Sequence, residues 1–258
     1  MKRVGSRILF AVVFCLSTGL LLVLASPRLT VLIETRIIEA YRPTITGEAQ
    51  TFAKATTAND WQAVKLLSLC GVLKKAVAPS PEYCGALLIP SLGVNLPWAN
   101  YTNDDVYTFG AGMLEPHYLN DNCHLVIGAH NLGQRECTAL FTPLAFHQLT
   151  GRKVILTNFH VVKEYQIIGK QVISPSDTRV PFQGGANSLA LLTCTSDNQK
   201  RILVRAKLVR SYPFKALNPQ ISRKFHHKYK LTDGLAGAAS SPATSPVKLK
   251  KHCRSKTR

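Results

Sequence analysis

Two apolar runs separated by a short polar loop, between Ser188 and Leu208, constrain the fold of this chain more than any other feature. The first run, S-L-A-L-L-T-C, ends at Cys194, and the second, R-I-L-V-R-A-K-L, begins at Arg201. Runs of this length around a polar loop are typical of a β-hairpin or of two neighbouring strands. Either arrangement places the Cys194 thiol beside the Arg201 guanidinium. The fixed positive charge favours the thiolate, and the guanidinium offers hydrogen-bond donors to an oxyanion.

Other short apolar runs, separated by proline, glycine and polar loops, precede this hairpin. They are two short strands within Gly85–Pro97, a strand at Cys123–His130, a long β-rich stretch at Val154–Ile173 and a turn-rich loop at Ser174–Asn187. Many short strands without a convincing internal helix predict an all-β fold, a closed or nearly closed barrel over residues 83–212. With 46% apolar residues, the chain can form a core.

The N-terminus carries a clear physical signal. Lys2, Arg3 and Arg7 precede an uncharged run of 18 residues, Ile8–Ala25, which is just long enough to cross a bilayer as a helix. The leading positive charges predict a cytoplasmic N-terminus, with the rest of the chain outside the cytoplasm. After a basic end at residues 1–7, the preferred interpretation is an uncleaved transmembrane signal-anchor at 8–25. A signal peptide cleaved before Ser26 is the alternative.

The segments that flank the barrel are predicted to be appendages. Residues 26–82 contain weakly helical pieces broken by R-P-T-I-T-G-E and are interpreted as a stalk or linker. Residues 213–258 are basic and low in complexity, and the last 48 residues hold +10 of the net charge of +18. This composition predicts a largely disordered tail from Phe214 onward. A solvated tail is the preferred interpretation, and binding to anionic lipids or wall polymers is the alternative. The export signal argues against nucleic acid as a partner.

Neither a metal nor another cofactor is expected. Seven cysteines are present without a C-x-x-C pair, so a structural zinc site is not predicted. A Cys123–Cys137 bridge is one pairing that the sequence alone does not decide. Calcium needs several converging oxygen ligands. The acidic loop residues Asp104, Asp105 and Asp177 are too few to predict a calcium site.

A nucleophilic cysteine needs a base, and five histidines in the barrel region are candidates. They are His117, His124, His130, His147 and His160. His130 is preferred because it ends an apolar strand, as Cys194 does, after the small pair Gly128–Ala129. The alternative is that Cys194 is a buried, inert thiol, which is the commoner fate of a cysteine in an apolar strand.

The order of these residues resembles the sortase family, the membrane-bound transpeptidases of Gram-positive bacteria. A-L-L-T-C, ending at Cys194 and followed by Arg201, is similar to the family's T-L-x-T-C strand and arginine, and V-I-G-A-H is similar to its histidine motif. Supporting matches are I-P-S-L-G-V-N-L-P, G-A-G-M-L-E-P and L-F-T-P-L, within about residues 42–209. G-A-G-M-L-E-P and R-P-T-I-T resemble the class A, housekeeping branch. Ala190 replaces the usual threonine and Ala129 the usual glycine, but neither change removes a reacting group.

The resemblance implies a sortase-type closed β-barrel of about eight strands with short helices, preceded by an N-terminal transmembrane helix. It implies that Cys194 attacks the Thr–Gly carbonyl of an L-P-x-T-G signal on a surface protein while His130 moves the proton. Arg201, or alternatively Arg205, holds the substrate or the oxyanion together with the backbone N–H of Thr195. The thioester then passes to the amine of a peptidoglycan precursor, lipid II. Membrane lipids are the other implied partner.

The loop before the Cys194 strand is expected to bind the leucine and proline of the signal. Its apolar candidates are Val172, Ile173, Pro175, Val180 and Phe182. The alternative is that some of these side chains fill the barrel. A pilin-polymerising sortase is a rival function, although no D-P-[FWY] lid motif and no second spanning run is present. A tethered barrel that binds sorting peptides without turnover is the other rival, but such a module needs no reactive thiol.

Overall fold

The computed structural model describes residues 2–60 and 64–240. Its helices are α1 (Lys2–Ala25), α2 (Pro27–Ala40), α3 (Glu48–Ala58), α4 (Leu69–Ala76), α5 (Asp104–Phe109), α6 (Thr142–Phe146), α7 (Pro219–Lys228) and α8 (Asp233–Ser240). Its strands are β1 (Thr44–Ile45), β2 (Gly85–Ile89), β3 (Val94–Ala99), β4 (Ala111–Met113), β5 (Leu125–Gly128), β6 (Lys153–Thr157), β7 (Val161–Ile173), β8 (Ser188–Cys194), β9 (Arg201–Pro213) and β10 (Lys230–Leu231).

Eight strands close into a barrel in the order β2-β3-β4-β5-β8-β9-β7-β6. The predicted closed all-β barrel is therefore confirmed, with α5 and α6 as short helices between strands. The predicted hairpin is β8 and β9, which pair antiparallel from Ser188 opposite Lys207 to Cys194 opposite Arg201. β5 runs parallel to β8, so the C-terminal ends of these two strands lie at the same edge.

Alternation along β8 divides its residues between two apolar layers. Leu189 and Leu191 point into the main core inside the barrel. Ala190 belongs to a smaller cluster on the outer face, with Leu192 packed against it. Since both faces of the strand are covered, it reads in sequence as a continuous apolar run rather than as an alternating one.

Helix α2 packs on the barrel, which differs from the predicted stalk. Its N-terminus is capped by Ser26, whose hydroxyl accepts a hydrogen bond from the N–H of Leu29. Ile38 is buried in the main core. Thr35 Oγ1 lies 3.0 Å from the Sγ of Cys137, which is a free thiol. A Cys123–Cys137 bridge is therefore not formed.

The segment after the barrel folds, so the prediction of disorder from Phe214 onward is wrong for residues 214–240. Helix α7 is capped by the side chain of Asn218, which accepts from the N–H of Gln220. Its Phe225 and the following Tyr229 are buried in a second apolar cluster. The next residues form β10, which pairs parallel to β1. Residues 241–258, the rest of the predicted tail, lie outside the described residues.

Helix α1 holds the predicted anchor run and exposes large apolar side chains. Leu9, Phe10 and Phe14 are between 65% and 73% exposed. In the part of the chain that the structure describes, no single helix is long and apolar enough to cross a membrane. The pair Arg7–Leu22 and Pro27–Ala40, bent by 91°, meets the criterion together by length and composition.

Candidate active site

Three strands bring a thiol, an imidazole and a guanidinium to one edge of the barrel. In the parallel pair, Gly128 of β5 lies opposite Leu192 of β8. His130 comes two residues after Gly128, and Cys194 comes two residues after Leu192, so both lie at the same edge of the barrel. In the antiparallel pair, Cys194 lies directly opposite Arg201. Residues directly opposite each other on neighbouring strands share a face of the sheet. The three residues singled out from the sequence are therefore brought together.

The environment of Cys194 holds its thiol in the protonated form. The side chain is half-buried. Burial raises the pKa of the thiol, and the positive charge of Arg201 opposes that shift by lowering it. Because the pKa remains raised, the nucleophilic thiolate has to be formed by passing the proton to a base.

The environment of His130 holds its imidazole in the neutral form. The residue is 8% exposed. Burial lowers its pKa to about 4, with a smaller raising effect from Asp104 and a lowering effect from Lys75. The ring of Tyr107 meets the imidazole edge to face, with centroids 5.4 Å apart and planes at 81°. A neutral imidazole is the form that can act as a general base.

The two candidate arginines make different contacts. Arg201 donates from Nη1 to the carbonyls of Asn198 and Lys200, both at 3.2 Å. Its guanidinium therefore lies over the β8–β9 turn, beside Cys194. Arg205 donates to the carbonyl of Val180 at 2.9 Å and to that of Gln183.

These contacts separate the roles of the two arginines. Arg205 fastens the short 3₁₀ turn Val180–Phe182 against β9, so two of its donors are already used away from the thiol. Arg201 is the guanidinium that stands opposite Cys194 and interacts electrostatically with it.

The backbone N–H of Thr195, expected to help hold an oxyanion, is already engaged. It donates to the carbonyl of Lys200 at 3.0 Å. The Thr195 hydroxyl accepts from the N–H of Lys200, also at 3.0 Å. Both groups close the turn between β8 and β9. The guanidinium of Arg201, which bonds to this turn through Nη1, is the charged donor group that acts on Cys194.

An apolar cluster on the outer face of the barrel lies next to this edge. Its members are buried Leu114, Val126, Ala190 and Leu203, with Ile173, Val180, Phe182 and Leu192 packed against them. Ala190 and Leu192 share the face of Cys194 on β8, because residues two apart point the same way. The cluster is therefore continuous with the thiol.

Three of the five apolar residues predicted to bind substrate belong to this cluster, namely Ile173, Val180 and Phe182. Val172 is 55% exposed and points to the opposite face of β7 from its neighbour Ile173. Pro175 is exposed in the loop beyond β7. The structure does not bring Val172 and Pro175 into the cluster.

Two residues near Cys194 and His130 were missed from the sequence. Asn131 donates from Nδ2 to the carbonyl of Cys194 at 2.8 Å, and its position directly after His130 was the only available signal. The hydroxyl of Tyr107 fills the space beside Gly128, where a methyl group would overlap it. Hydrophobic periodicity could not indicate the position of Tyr107, because α5 has only six residues.

The other histidine near this face has a structural role. His124 lies 2.6 Å through Nδ1 from the hydroxyl of Ser188 and 2.8 Å through Nε2 from the carbonyl of Pro181. Both ring nitrogens are therefore engaged in holding the loop that leads into β8.

One described group has the spacing of metal ligands. His117, Asp121 and Cys123 each offer a ligand atom within 4.8 Å of the others. Cys123 is oxidised in a disulfide, so the group lacks the thiolate that a metal would need from it. Asp104 and Asp105 are paired instead with the ammonium of Lys75, at 3.7 and 3.1 Å.

Comparison with known proteins finds a family model that matches part of this chain. Residues 87–209, from β2 to β9, match the family model described as Sortase domain. No curated protein matches the chain.

Solved structures similar to this chain carry the names of several kinds of sortase. Sortase A of Listeria monocytogenes is 21% identical, covers 55% of this chain and 96% of its own, and has a TM-score of 0.48. Sortase C-3 of Streptococcus pneumoniae is 20% identical, covers 69% and 85%, and has a TM-score of 0.49. Sortase E of Streptomyces avermitilis is 23% identical, covers 54% and 95%, and has a TM-score of 0.44.

Proposed function

We propose that this protein is a cysteine transpeptidase of the class A, housekeeping type of the sortase family, whose model matches residues 87–209. It cleaves an L-P-x-T-G-type signal of surface proteins between threonine and glycine and joins the protein to the amine of lipid II. The observation that carries the proposal is the placement of Cys194 opposite Arg201, with His130 at the same edge. The motif G-A-G-M-L-E-P supports the class A assignment.

In the first step, the substrate acylates Cys194. His130 takes the proton from the thiol, and the sulfur attacks the threonine carbonyl carbon. The carbonyl oxygen becomes an oxyanion, which the guanidinium of Arg201 stabilises. The C–N bond to glycine then breaks, and the imidazolium returns its proton to the leaving amine. A thioester at Cys194 and a free glycine amine result.

In the second step, the amine of lipid II attacks the thioester. His130 accepts a proton from that amine as the new C–N bond forms, and Arg201 again stabilises the oxyanion. The C–S bond breaks, the thiolate leaves, and the proton on His130 returns to the sulfur of Cys194. The enzyme is regenerated and the surface protein is joined to the cell-wall precursor through an amide.

The pKa shifts explain why the thiol of Cys194 is weakly reactive without substrate. Burial raises the pKa of Cys194 and lowers that of His130 to about 4. At neutral pH the resting pair is thiol and imidazole, and the reactive thiolate–imidazolium pair is a minor form. A stray electrophile therefore meets mainly the thiol, which is a weak nucleophile.

The apolar cluster supports binding of the leucine and proline of the signal. Ile173, Val180 and Phe182 form the side of the cluster that comes from β7 and the following loop. Arg205 keeps that loop closed through Val180. Burying a leucine side chain contributes roughly 1.5–3 kcal/mol, which is enough to select against a polar residue at that position of the signal.

A place in the cell membrane, with a cytoplasmic N-terminus and the barrel outside, completes the proposal. It is supported by Lys2, Arg3 and Arg7 before the apolar run and by the exposed apolar side chains of α1. The proposal predicts that the full chain stays in the membrane fraction after carbonate extraction and that protease added to spheroplasts cleaves it. Release by carbonate would contradict the anchor.

The test of the activity uses the full chain in detergent, because residues 214–240 pack on the barrel. It is incubated with a fluorogenic L-P-x-T-G peptide and an amine acceptor, and the amide product is quantified. Product from the wild type, absent in Cys194→Ala and in His130→Ala, is the expected result. Binding of the peptide without any product would favour a non-catalytic barrel.

A further inference from the structure

The last backbone hydrogen bond between the β5 and β8 segments runs from the N–H of Ala129, one residue before His130, to the carbonyl of Leu192 at 3.2 Å. Side chains continue the connection beyond it. Thr193 donates from Oγ1 to the carbonyl of Ala129 at 2.8 Å. Asn131 donates from Nδ2 to the carbonyl of Cys194 at 2.8 Å. His130 therefore lies between two side-chain hydrogen bonds that cross the strands, one on each side along the chain.

The orientation of the Asn131 amide is determined by its second contact. Its Oδ1 accepts a hydrogen bond from the backbone N–H of Gly133 at 2.8 Å. An amide oxygen cannot donate, so the end that faces the N–H has to be the oxygen, and the NH₂ group then faces the carbonyl of Cys194. Gly133 has a φ of 77°, which lets the loop turn back to make this contact.

In the part of the chain that the structure describes, the ring of His130 has no hydrogen bond that would orient it. Within residues 2–60 and 64–240, no group bonds to either ring nitrogen, and the ring contact is with Tyr107. A base in a catalytic pair is usually oriented by a third group that bonds to it directly. Here the position of the imidazole depends on its backbone. The carbonyl of His130 accepts from the N–H of Phe141 at 3.0 Å, and the residues on either side of His130 hold the backbone against β8.

We propose that Asn131 is a positioning residue that holds the backbone of His130 in register with Cys194, which rests on the function proposed above. The amide acts at the position adjacent to the base and bonds to the backbone of the nucleophile itself. Misplacement of a reacting group by about 1 Å can cost on the order of 100-fold in rate. Asn131→Ala is therefore expected to lower kcat by about 10- to 100-fold and to change KM by less than about twofold.

Thr142 offers a matched control in the same loop. Its Oγ1 accepts from the N–H of Leu132 at 2.9 Å, and it is fully buried. Thr142→Val removes this bond without touching β8 and without changing the shape of the side chain. Asn131→Asp supplies the complementary variant, because it keeps an acceptor for the N–H of Gly133 but has no donor for the carbonyl of Cys194.

A measurement that needs no substrate decides the proposal even if turnover is absent. The rate of Cys194 alkylation by iodoacetamide is followed against pH by mass spectrometry of the peptide that contains it. The wild-type profile should differ from that of His130→Ala, because the imidazole is the proton acceptor of the thiol. Asn131→Ala should shift towards the His130→Ala profile, while Thr142→Val should follow the wild type.

Three results with the Asn131 and Thr142 variants would overturn the role of Asn131. They are a profile of Asn131→Ala equal to that of the wild type, an equal shift in Thr142→Val, and full activity of Asn131→Asp. Identical profiles for His130→Ala and the wild type would also overturn it, because there would be no pair to position. If the L-P-x-T-G peptide is not turned over but the alkylation profile of Asn131→Ala still shifts, the positioning role stands and only the proposed substrate is refuted.

Discussion

Replacing Arg201 by alanine should reduce turnover far more than replacing Arg205. Arg201 stands opposite Cys194, and the Thr195 N–H is engaged with Lys200, so the oxyanion loses its charged donor. Loss of one oxyanion donor costs on the order of 10²- to 10³-fold in kcat, or about 2.7–4 kcal/mol. The thiol pKa should rise further as well, because the charge that lowers it is gone.

Arg205→Ala should act mainly on binding. It removes the bonds to the carbonyls of Val180 and Gln183, which frees the loop that carries Phe182. Each charge-assisted bond contributes about 1.5–3 kcal/mol when well formed, and partial exposure reduces that value here. An increase of KM of up to about tenfold with nearly unchanged kcat is therefore expected.

The assay is steady-state cleavage of the L-P-x-T-G peptide by both variants and by Arg201→Lys. The lysine variant keeps the charge but loses the planar fork of donors, so its kcat should lie between those of the wild type and Arg201→Ala. Circular dichroism spectra confirm that each variant is folded. Normal kcat in Arg201→Ala, with a collapse of kcat in Arg205→Ala, would refute the assignment and exchange the two roles.

Three further predictions concern stability and packing. Burial alone would raise the pKa of Glu164, but hydrogen bonds from Arg210, Tyr212 and Lys153 lower it from 4.5 to about 2. The carboxylate therefore contributes stability that is present above pH 4.5 and lost as the pH falls towards 2. Because the side chains of Arg210 and Lys153 are 60% and 53% exposed, solvent screening reduces this contribution to about 1 kcal/mol. Urea unfolding of Glu164→Gln should therefore show a loss of stability at pH 6 that disappears near pH 2; a loss independent of pH would contradict the linkage. Phe225→Ala should destabilise residues 214–240 by about 3–5 kcal/mol, seen as faster hydrogen exchange in α7, whereas exposed Lys224→Ala should change little; equal exchange in both would argue against the docking of α7. Gly128→Ala should displace the Tyr107 hydroxyl and lower kcat, and unchanged kinetics would show that this contact is dispensable.

The positions of Cys194, Arg201 and His130 could be predicted from the sequence, because each lies at or just beyond the end of a strand. The polar loop between two apolar runs specified a hairpin, and the hairpin specified that Cys194 faces Arg201. His130 was predictable because it ends a run as Cys194 does. The parallel pairing of β5 with β8, which brings these two ends together, was not visible, since the two strands are about 60 residues apart in the chain.

The packing of the flanking segments was not predictable from local composition. Residues 214–240 are basic and interrupted by proline, so their few aromatic residues give little hydrophobic periodicity. Phe225 and Tyr229 nevertheless pack against Phe159, with ring centroids at 6.0 and 6.2 Å. Their burial depends on a partner some 65 residues earlier. The two-residue strands β1 and β10 are likewise too short to leave a pattern.

The contacts of individual polar groups also lay beyond the sequence. Whether the Thr195 N–H is free depends on how the turn closes on Lys200. Whether Arg205 reaches the thiol depends on the carbonyls of the 3₁₀ turn beside it. Both contacts depend on distances between atoms in the folded chain, which residue type and sequence spacing do not determine.

The most direct test of the central claim is the intact mass of the full chain after incubation with an L-P-x-T-G peptide and no amine acceptor. The account predicts an added mass equal to the peptide up to threonine, held on Cys194, removed by hydroxylamine and absent in Cys194→Ala. Cleavage of the peptide without any adduct, or an adduct on another residue, would contradict a thioester at Cys194 and with it the transpeptidase.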